Sequence, residues 1–381
     1  MKRFLISVLA LTAALTLSAQ PGPGRERREV KSAQGEVYVE KQSSYTPSFA
    51  NDGKEKGIRN VILMIGDGMG QGAVNAAMYA NGSLTMTNLK TFGYVRTQSA
   101  NNFITDSAAS GTAYATGQKT NNGYVGMSTD AQPIKNLPEK LAPLGYACGV
   151  LSTDNLDGAT PAVFFAHQSA RGASAAIWAD LPQSCLSFAS AGSSEVFGKL
   201  DLKTQEAIKA AYTVVYSPDD EAVSGSSRLL YLPESVLYDK RGDYLPATTR
   251  MAIEYLSGHS KKGFFLMVEG ARIDKESHNN NFPGTVRETL DFDKAVEEAI
   301  RFAEKDGHTL VIISADHETG GIALSRAVPE DGYAQGVYTS KGHTPMMVPL
   351  FAYGPFSREF TGIQENSDVS NKIYSLLSGR K

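Results

Sequence analysis

A chain of 381 residues exceeds the roughly 100–150 residues of a common domain, so it holds either two domains or one large α/β unit with elaborate loops. Hydrophobic residues at 41% and charged residues at 20%, with 36 Gly and 16 Pro spread along the chain, exclude global disorder, a collagen-like repeat and a coiled coil. The formal net charge of −3, with no Lys/Arg block, leaves no field to hold a nucleic-acid backbone, so nucleic acid is not expected as a main partner.

Residues 1–20 join Lys2-Arg3, an apolar run from Phe4 to Leu17 and Ser18-Ala19-Gln20, the three regions of a secretory signal peptide, with cleavage expected near Ala19 or Gln20. The run is shorter than the ~20 residues a membrane helix needs, and no later run is long enough, so stable membrane insertion is not expected. The expectation is an exported protein, periplasmic if the source has two membranes. Residues 21–57 are rich in Pro, Gly, Lys and Glu without an apolar period and read as an extended arm or linker outside the core.

A catalytic domain is expected over 58–381. Short apolar runs at 60–65, 146–151, 264–268, 309–313 and 348–352 read as strands buried on both faces. Between them lie helical patterns, clearest over 286–304, where Leu290, Ala295, Val296, Ala299, Ile300 and Ala303 share a face. The alternation predicts an α/β fold, a three-layer α/β/α sandwich around a largely parallel central sheet. The stretch 186–262, with weaker periodicity and more Ser, Asp and Gly, reads as a surface insertion around the entrance.

Ligands of such sheets bind outside the carboxyl ends of the strands. Asp67 follows the first strand in Gly66-Asp67-Gly68-Met69-Gly70, residues 153–160 follow the second, Glu269 with Asp274 and His278 the third, and Asp316-His317 the fourth, while His343 reaches the same edge by a loop. The first glycines do not make a dinucleotide fingerprint, because Gln71 or Ala73 falls where the third Gly belongs, and an Asp at the loop centre suits a cation instead. The two cysteines, Cys148 and Cys185, are too few for a metal cluster and pair once at most, so a metal here is held by carboxylates and histidines. Singly, Asp274 with His278 reads as a surface ion pair; jointly, the oxygen and imidazole set suits zinc with some magnesium character. His167, His259 and His308 read as structural. Small residues after Ser107 favour a helix starting there, which makes its hydroxyl either a helix cap or a nucleophile at a positive helix end. The chain has no Gly-x-Ser-x-Gly elbow, so an activated Ser107 would depend on a metal. The glycines of 111–120 miss the phosphate-loop spacing by one residue.

With these motifs in order, namely Gly66 to Gly70, Thr105-Asp106-Ser107-Ala108-Ala109-Ser110, Ala159-Thr160-Pro161, Glu269 to Asp274, Ala315-Asp316-His317 and Gly342-His343-Thr344, the chain resembles the alkaline phosphatase family from Asn60 onward. The resemblance implies that Ser107 is phosphorylated during turnover and lies beside a zinc held by Asp67, Asp316 and His317. It implies a second zinc on Asp274, His278 and His343, and a magnesium shared by Asp67, Thr160 and Glu269. Arg171 would clamp two phosphate oxygens, with Lys275 and Asp106 also on the substrate side. The implied activity is hydrolysis of small phosphomonoesters, and the implied assembly a homodimer. Gly158 departs from the family, whose members commonly carry Asp or His there, so weaker or less selective binding of the third ion is expected. The competing expectations are a phosphodiesterase, phosphonate or sulfate-ester hydrolase of the same superfamily, or a non-catalytic metal- or phosphate-binding protein.

Overall fold

The computed structural model describes residues 33–379. The expected signal peptide and the first part of the expected arm, through residue 32, lie outside the described residues. The strands are β1 (Ala33–Tyr38), β2 (Asn60–Gly66), β3 (Thr91–Arg96), β4 (Ala147–Ser152), β5 (Phe188–Ser190), β6 (Thr213–Val215), β7 (Leu229–Tyr231), β8 (Phe264–Gly270), β9 (Thr309–Ser314), β10 (Glu318–Thr319), β11 (Ala323–Val328), β12 (Tyr333–Tyr338), β13 (His343–Thr344), β14 (Val348–Tyr353) and β15 (Gly362–Glu365). Ten of them form one sheet in the order β15-β3-β14-β9-β2-β8-β4-β5-β7-β6. All run the same way except β14, which is antiparallel to both β3 and β9.

The centre of the sheet follows from its composition. Every residue of β2, β8 and β9 is buried, so these runs need no polar face and pair in parallel, Val61 opposite Phe265 on one side and Leu310 on the other. Helices Gln71–Asn81, Tyr244–His259 and Phe282–Asp306 pack together on one face, and helices Ser107–Thr116, Ala159–Ala162 and Asn366–Ser378 on the other, giving three layers. The Phe282–Asp306 helix is longer than its predicted 286–304 because Asn281 caps Gly284 N and a proline opens its first turn, where the missing N–H costs nothing. It stops at Gly307 in the left-handed conformation.

Two sequence readings are corrected. Residues 33–38 are no arm: β1 pairs antiparallel with β12, which also pairs with β11, and Val37 is buried while Val39, Tyr45 and Phe49 pack on the core. The partner strand lies some 300 positions away, beyond the reach of any local period. Residues 186–262 are not an insertion on the surface either, since they supply β5, β7 and β6 to the main sheet and bury Phe188, Leu229 and Leu230. Three-residue strands are too short to show a period. Cys148 is buried in β4 and Cys185 is half-buried; both thiols are free. Among the described residues no helix is long and apolar enough to cross a membrane.

Candidate functional site

Asp67 sits in the turn that leaves β2. The next residue, Gly68, has φ of +71°, and a Cβ there would stand 2.8 Å from the Asp274 Cα, so both the conformation and the space require glycine. Glu269 is the penultimate residue of β8; Asp274 and His278, four apart on the helix Arg272–His278, share one face. Asp316 and His317 leave β9, and the short β13 pairs with β10 so that His343 lies opposite Thr319.

These side chains form two overlapping groups that share His317: Asp67, Asp316 and His317, and Asp274, His317 and His343. Within each group the potential ligand atoms lie within 4.8 Å of one another. His317 Nε2 is 3.4 Å from Asp67 Oδ1 and 3.3 Å from Asp316 Oδ2. Asp274 Oδ1 is 3.3 Å from His278 Nε2 and 3.5 Å from His343 Nε2, and those two nitrogens are 3.1 Å apart.

The hydrogen bonds on the far side of each ring decide what the inward nitrogens are. Nδ1 of His278 faces the Lys341 carbonyl at 2.5 Å, and Nδ1 of His343 faces the Thr105 carbonyl at 2.8 Å. A carbonyl only accepts, so each Nδ1 carries the proton and each Nε2 presents a lone pair. Thr319 donates its hydroxyl to Asp274 Oδ1 at 2.5 Å and accepts from His317 Nδ1 at 3.2 Å, fixing the third ring the same way. Two lone pairs 3.1 Å apart beside a carboxylate need a cation between them. Asp67 Oδ1, Asp316 Oδ2 and Thr160 Oγ1 are buried without hydrogen-bond partners, which fits the same demand. Burial and the crowded carboxylates push Asp67, Asp316 and Glu269 above the usual acid range, and burial with neighbouring positive charge holds His317 well below and His343 below the ordinary imidazole value. The donor set of carboxylates and Nε2 lone pairs fits divalent metal.

Around this cluster the other expected residues fall as follows. Ser107 is the first residue of the helix Ser107–Thr116, and its Oγ lies 3.2 Å from His317 Nε2. The cap of that helix is Asp106, whose Oδ1 accepts from Ala109 N at 2.9 Å. Asp106 Oδ2 accepts from Gly123 N and, at 3.3 Å, from Arg171 Nη1, so the half-exposed guanidinium is held at the rim with its charge felt by Asp67 and His343. Lys275 is turned into an ion pair with Asp154. Beside Gly158, a Cβ would stand 3.0 Å from Asp154 Oδ2 and 2.9 Å from the Asn155 carbonyl, so an acidic group already stands next to the glycine. His167, His259 and His308 bind backbone carbonyls. The sequence reading missed Thr319 and Ser152, which donates to Glu269. Thr319 could have been found, since a hydroxyl two residues beyond His317 in an extended chain faces the same side.

A mostly parallel sheet that delivers carboxylates and imidazoles to one edge is the architecture of a metal-dependent α/β enzyme. The sequence model of the family "Alkaline phosphatase" matches residues 58–197 and 238–333. Alkaline phosphatase 4 of Bacillus subtilis is 30% identical over 85% of this chain and 90% of its own length, and alkaline phosphatase H of Pseudomonas aeruginosa is 30% identical over 98% of each. The solved alkaline phosphatase of the Antarctic bacterium TAB5 superposes with a TM-score of 0.80 at 33% identity, over 86% of this chain and 100% of that one; a variant of it has Mg bound in its M3 site. The chain belongs to the alkaline phosphatase family, and it is a phosphatase.

Proposed function

We propose that the protein is an exported phosphomonoester hydrolase that works through a phosphoserine on Ser107 at a two-zinc plus magnesium site. The observation that carries this reading is the position of Ser107: a neighbour caps its helix, and its own hydroxyl faces His317 at 3.2 Å, at the positive helix end. Asp67, Asp316 and His317 would hold one zinc, Asp274, His278 and His343 the other, and Asp67, Thr160 and Glu269 the magnesium. Bound there, the cations supply Lewis acidity that makes a serine alkoxide and a hydroxide available near neutral pH.

The protein's own groups do the rest. Arg171, anchored by Asp106, offers a planar fork of N–H donors to two non-bridging oxygens of the phosphoryl group. Ser107 Oγ attacks phosphorus in line, the bond to the ester oxygen breaks, and the alcohol leaves with a proton. Water then attacks the phosphoserine from the vacated side, returning Ser107 and releasing inorganic phosphate. Two inversions give net retention. The Nδ1 bonds to Lys341, Thr105 and Thr319 keep the three rings aimed throughout.

Export rests on the basic, apolar and small-residue regions of the first 20 residues. The experiment compares a chromogenic phosphate monoester with the matching diester and sulfate ester, before and after chelation and zinc replacement. The monoester should be hydrolysed fastest, chelation should abolish turnover, and zinc should restore it. A faster diester, or full activity without metal, would overturn the reading.

A further inference from the structure

Next to the carboxylate–imidazole cluster lies a cavity of about 800 Å³ that none of the steps above uses. We infer that it seats the alcohol half of the substrate and selects phosphate esters of neutral, hydroxyl-rich alcohols, sugars and polyols, an inference that rests on the phosphatase reading.

Position comes first. Its walls are the loops and short helices that follow four neighbouring strands: Asn155 after β4, Ser194 after β5, Ser235 after β7, and Arg272 with Lys275 after β8. In the sheet order β9-β2-β8-β4-β5-β7, the cluster stands over β9, β2 and β8 and the cavity over β8, β4, β5 and β7. The two adjoin at β8, on the same carboxyl edge. The helix Arg272–His278 is their shared wall. At about 100° per residue, Asp274 and His278 point within ~40° of each other, while Arg272 and Lys275 lie together on the adjacent face. The substituent on the ester oxygen of a phosphoryl group at Ser107 would extend along this edge past the shared helix to enter the cavity, whose volume lies within the range of small-molecule sites, roughly 300–1,000 Å³.

Chemistry narrows the occupant. No aromatic ring lines the cavity, so a nucleobase would find nothing to stack on. Three acidic and three basic side chains line it, which leaves no net field for a second phosphate. Most of those charges already have partners: Lys275 with Asp154, Glu195 with Lys199 at 2.5 Å, Arg272 with Glu288 at 3.6 Å. What remains for a ligand is a set of serine hydroxyls, the Asn155 amide, the Glu234 carboxylate and the Lys240 ammonium, donors and acceptors that match alcohol groups, with one charge of each sign.

The test uses the metal-loaded full enzyme with two esters of primary alcohols, glucose 6-phosphate and ethyl phosphate, whose leaving oxygens are alike. The natural protein should show kcat/KM for the sugar ester about tenfold or more above ethyl phosphate, the scale of one or two hydrogen bonds. Ser194→Trp, which narrows the cavity, and separately Lys240→Ala should each lower that ratio at least about fivefold, mainly by raising KM for the sugar ester. Thermal melts establish that each variant folds, and Lys240→Ala, at a surface position, serves if the tryptophan does not. Equal efficiency on both esters, a ratio unmoved in the folded variants, or a stronger preference for a nucleoside monophosphate or a sugar bisphosphate would overturn the inference. Hydrolysis of no monoester at all would overturn the phosphatase reading instead, a separate and distinguishable result.

Discussion

Ser107 is set apart from an ordinary first-turn serine by its neighbour. Asp106 takes the capping hydrogen bond, so the Ser107 hydroxyl has no structural duty toward its own helix and is aimed at His317. Ser107→Ala should prevent formation of an acid-stable phosphoenzyme and lower turnover by at least about 10³-fold, the scale on which loss of a covalent nucleophile acts; phosphate trapped on another residue would refute the assignment. Arg171 makes its charged contacts at the rim, where Asp106 holds it. Arg171→Ala should raise both KM and the inhibition constant for inorganic phosphate, by about 1.5–3 kcal/mol for a lost charged hydrogen bond, and unchanged phosphate inhibition would point to a different clamp. Gly158 carries a third prediction at this scale. Glycine at this place suggests a weakened third ion, yet Asp154 Oδ2 lies 3.0 Å from where a Cβ at Gly158 would stand, so a carboxylate is present beside that position. Asp154→Ala should therefore weaken magnesium activation of zinc-loaded enzyme about 10–100-fold, as loss of a group orienting ligands does, whereas Gly158→Asp, crowded against the Asn155 carbonyl, should not tighten it. Tighter magnesium in Gly158→Asp would restore the sequence-based expectation.

At the scale of elements, the segment that leads from β7 toward the site is tied down by charge. Arg241, with no exposed side-chain surface, binds Glu288 and Asp291 of the Phe282–Asp306 helix, each at 2.6 Å. Burial pushes both carboxyls above their ordinary values, and the guanidinium offsets only part of that rise. Glu288 also faces Arg272 at 3.6 Å, so the network connects the cavity wall with the helix that carries Asp274 and His278. Removing one member leaves buried charge unpaired. Arg241→Ala should cost about 3–5 kcal/mol, read as a lower midpoint in denaturant. Replacement of all three by apolar residues of similar volume should recover most of that loss, which separates the cost of orphaned carboxylates from the worth of the ion pairs.

For the whole molecule the cluster is a liability until a cation fills it. Asp67, Asp316, Asp274 and Glu269 lie together with at most 8% of any residue exposed, and three imidazoles face them with lone pairs. Whatever binds the folded state and not the unfolded one stabilises it, by about 4 kcal/mol at a thousandfold excess over Kd. Chelation should thus lower the unfolding temperature by several degrees, with zinc restoring it in inactive Ser107→Ala as well as in the natural protein. An unfolding temperature indifferent to chelator would mean that the described groups do not hold metal.

The five apolar runs were legible as strands because burial on both faces leaves a local mark, and their ends carried Asp67, Glu269 and Asp316 to one edge by the rule for parallel sheets. The helix beginning at Ser107 was legible from the small residues that follow it. Local sequence could not show that β1 joins β12, or that β5, β7 and β6 extend the main sheet, since one pairing spans most of the chain and the others involve strands of three residues. Nor could it show that His317 belongs to both ligand groups, that the Lys341 and Thr105 carbonyls turn two Nε2 lone pairs toward each other, or that Lys275 pairs with Asp154 at the wall of a cavity. Residue types and their places along the strands are local properties that the sequence determines. The direction of each ring, the sharing of a ligand and the cavity between loops depend on which strands become neighbours, and that only tertiary packing decides.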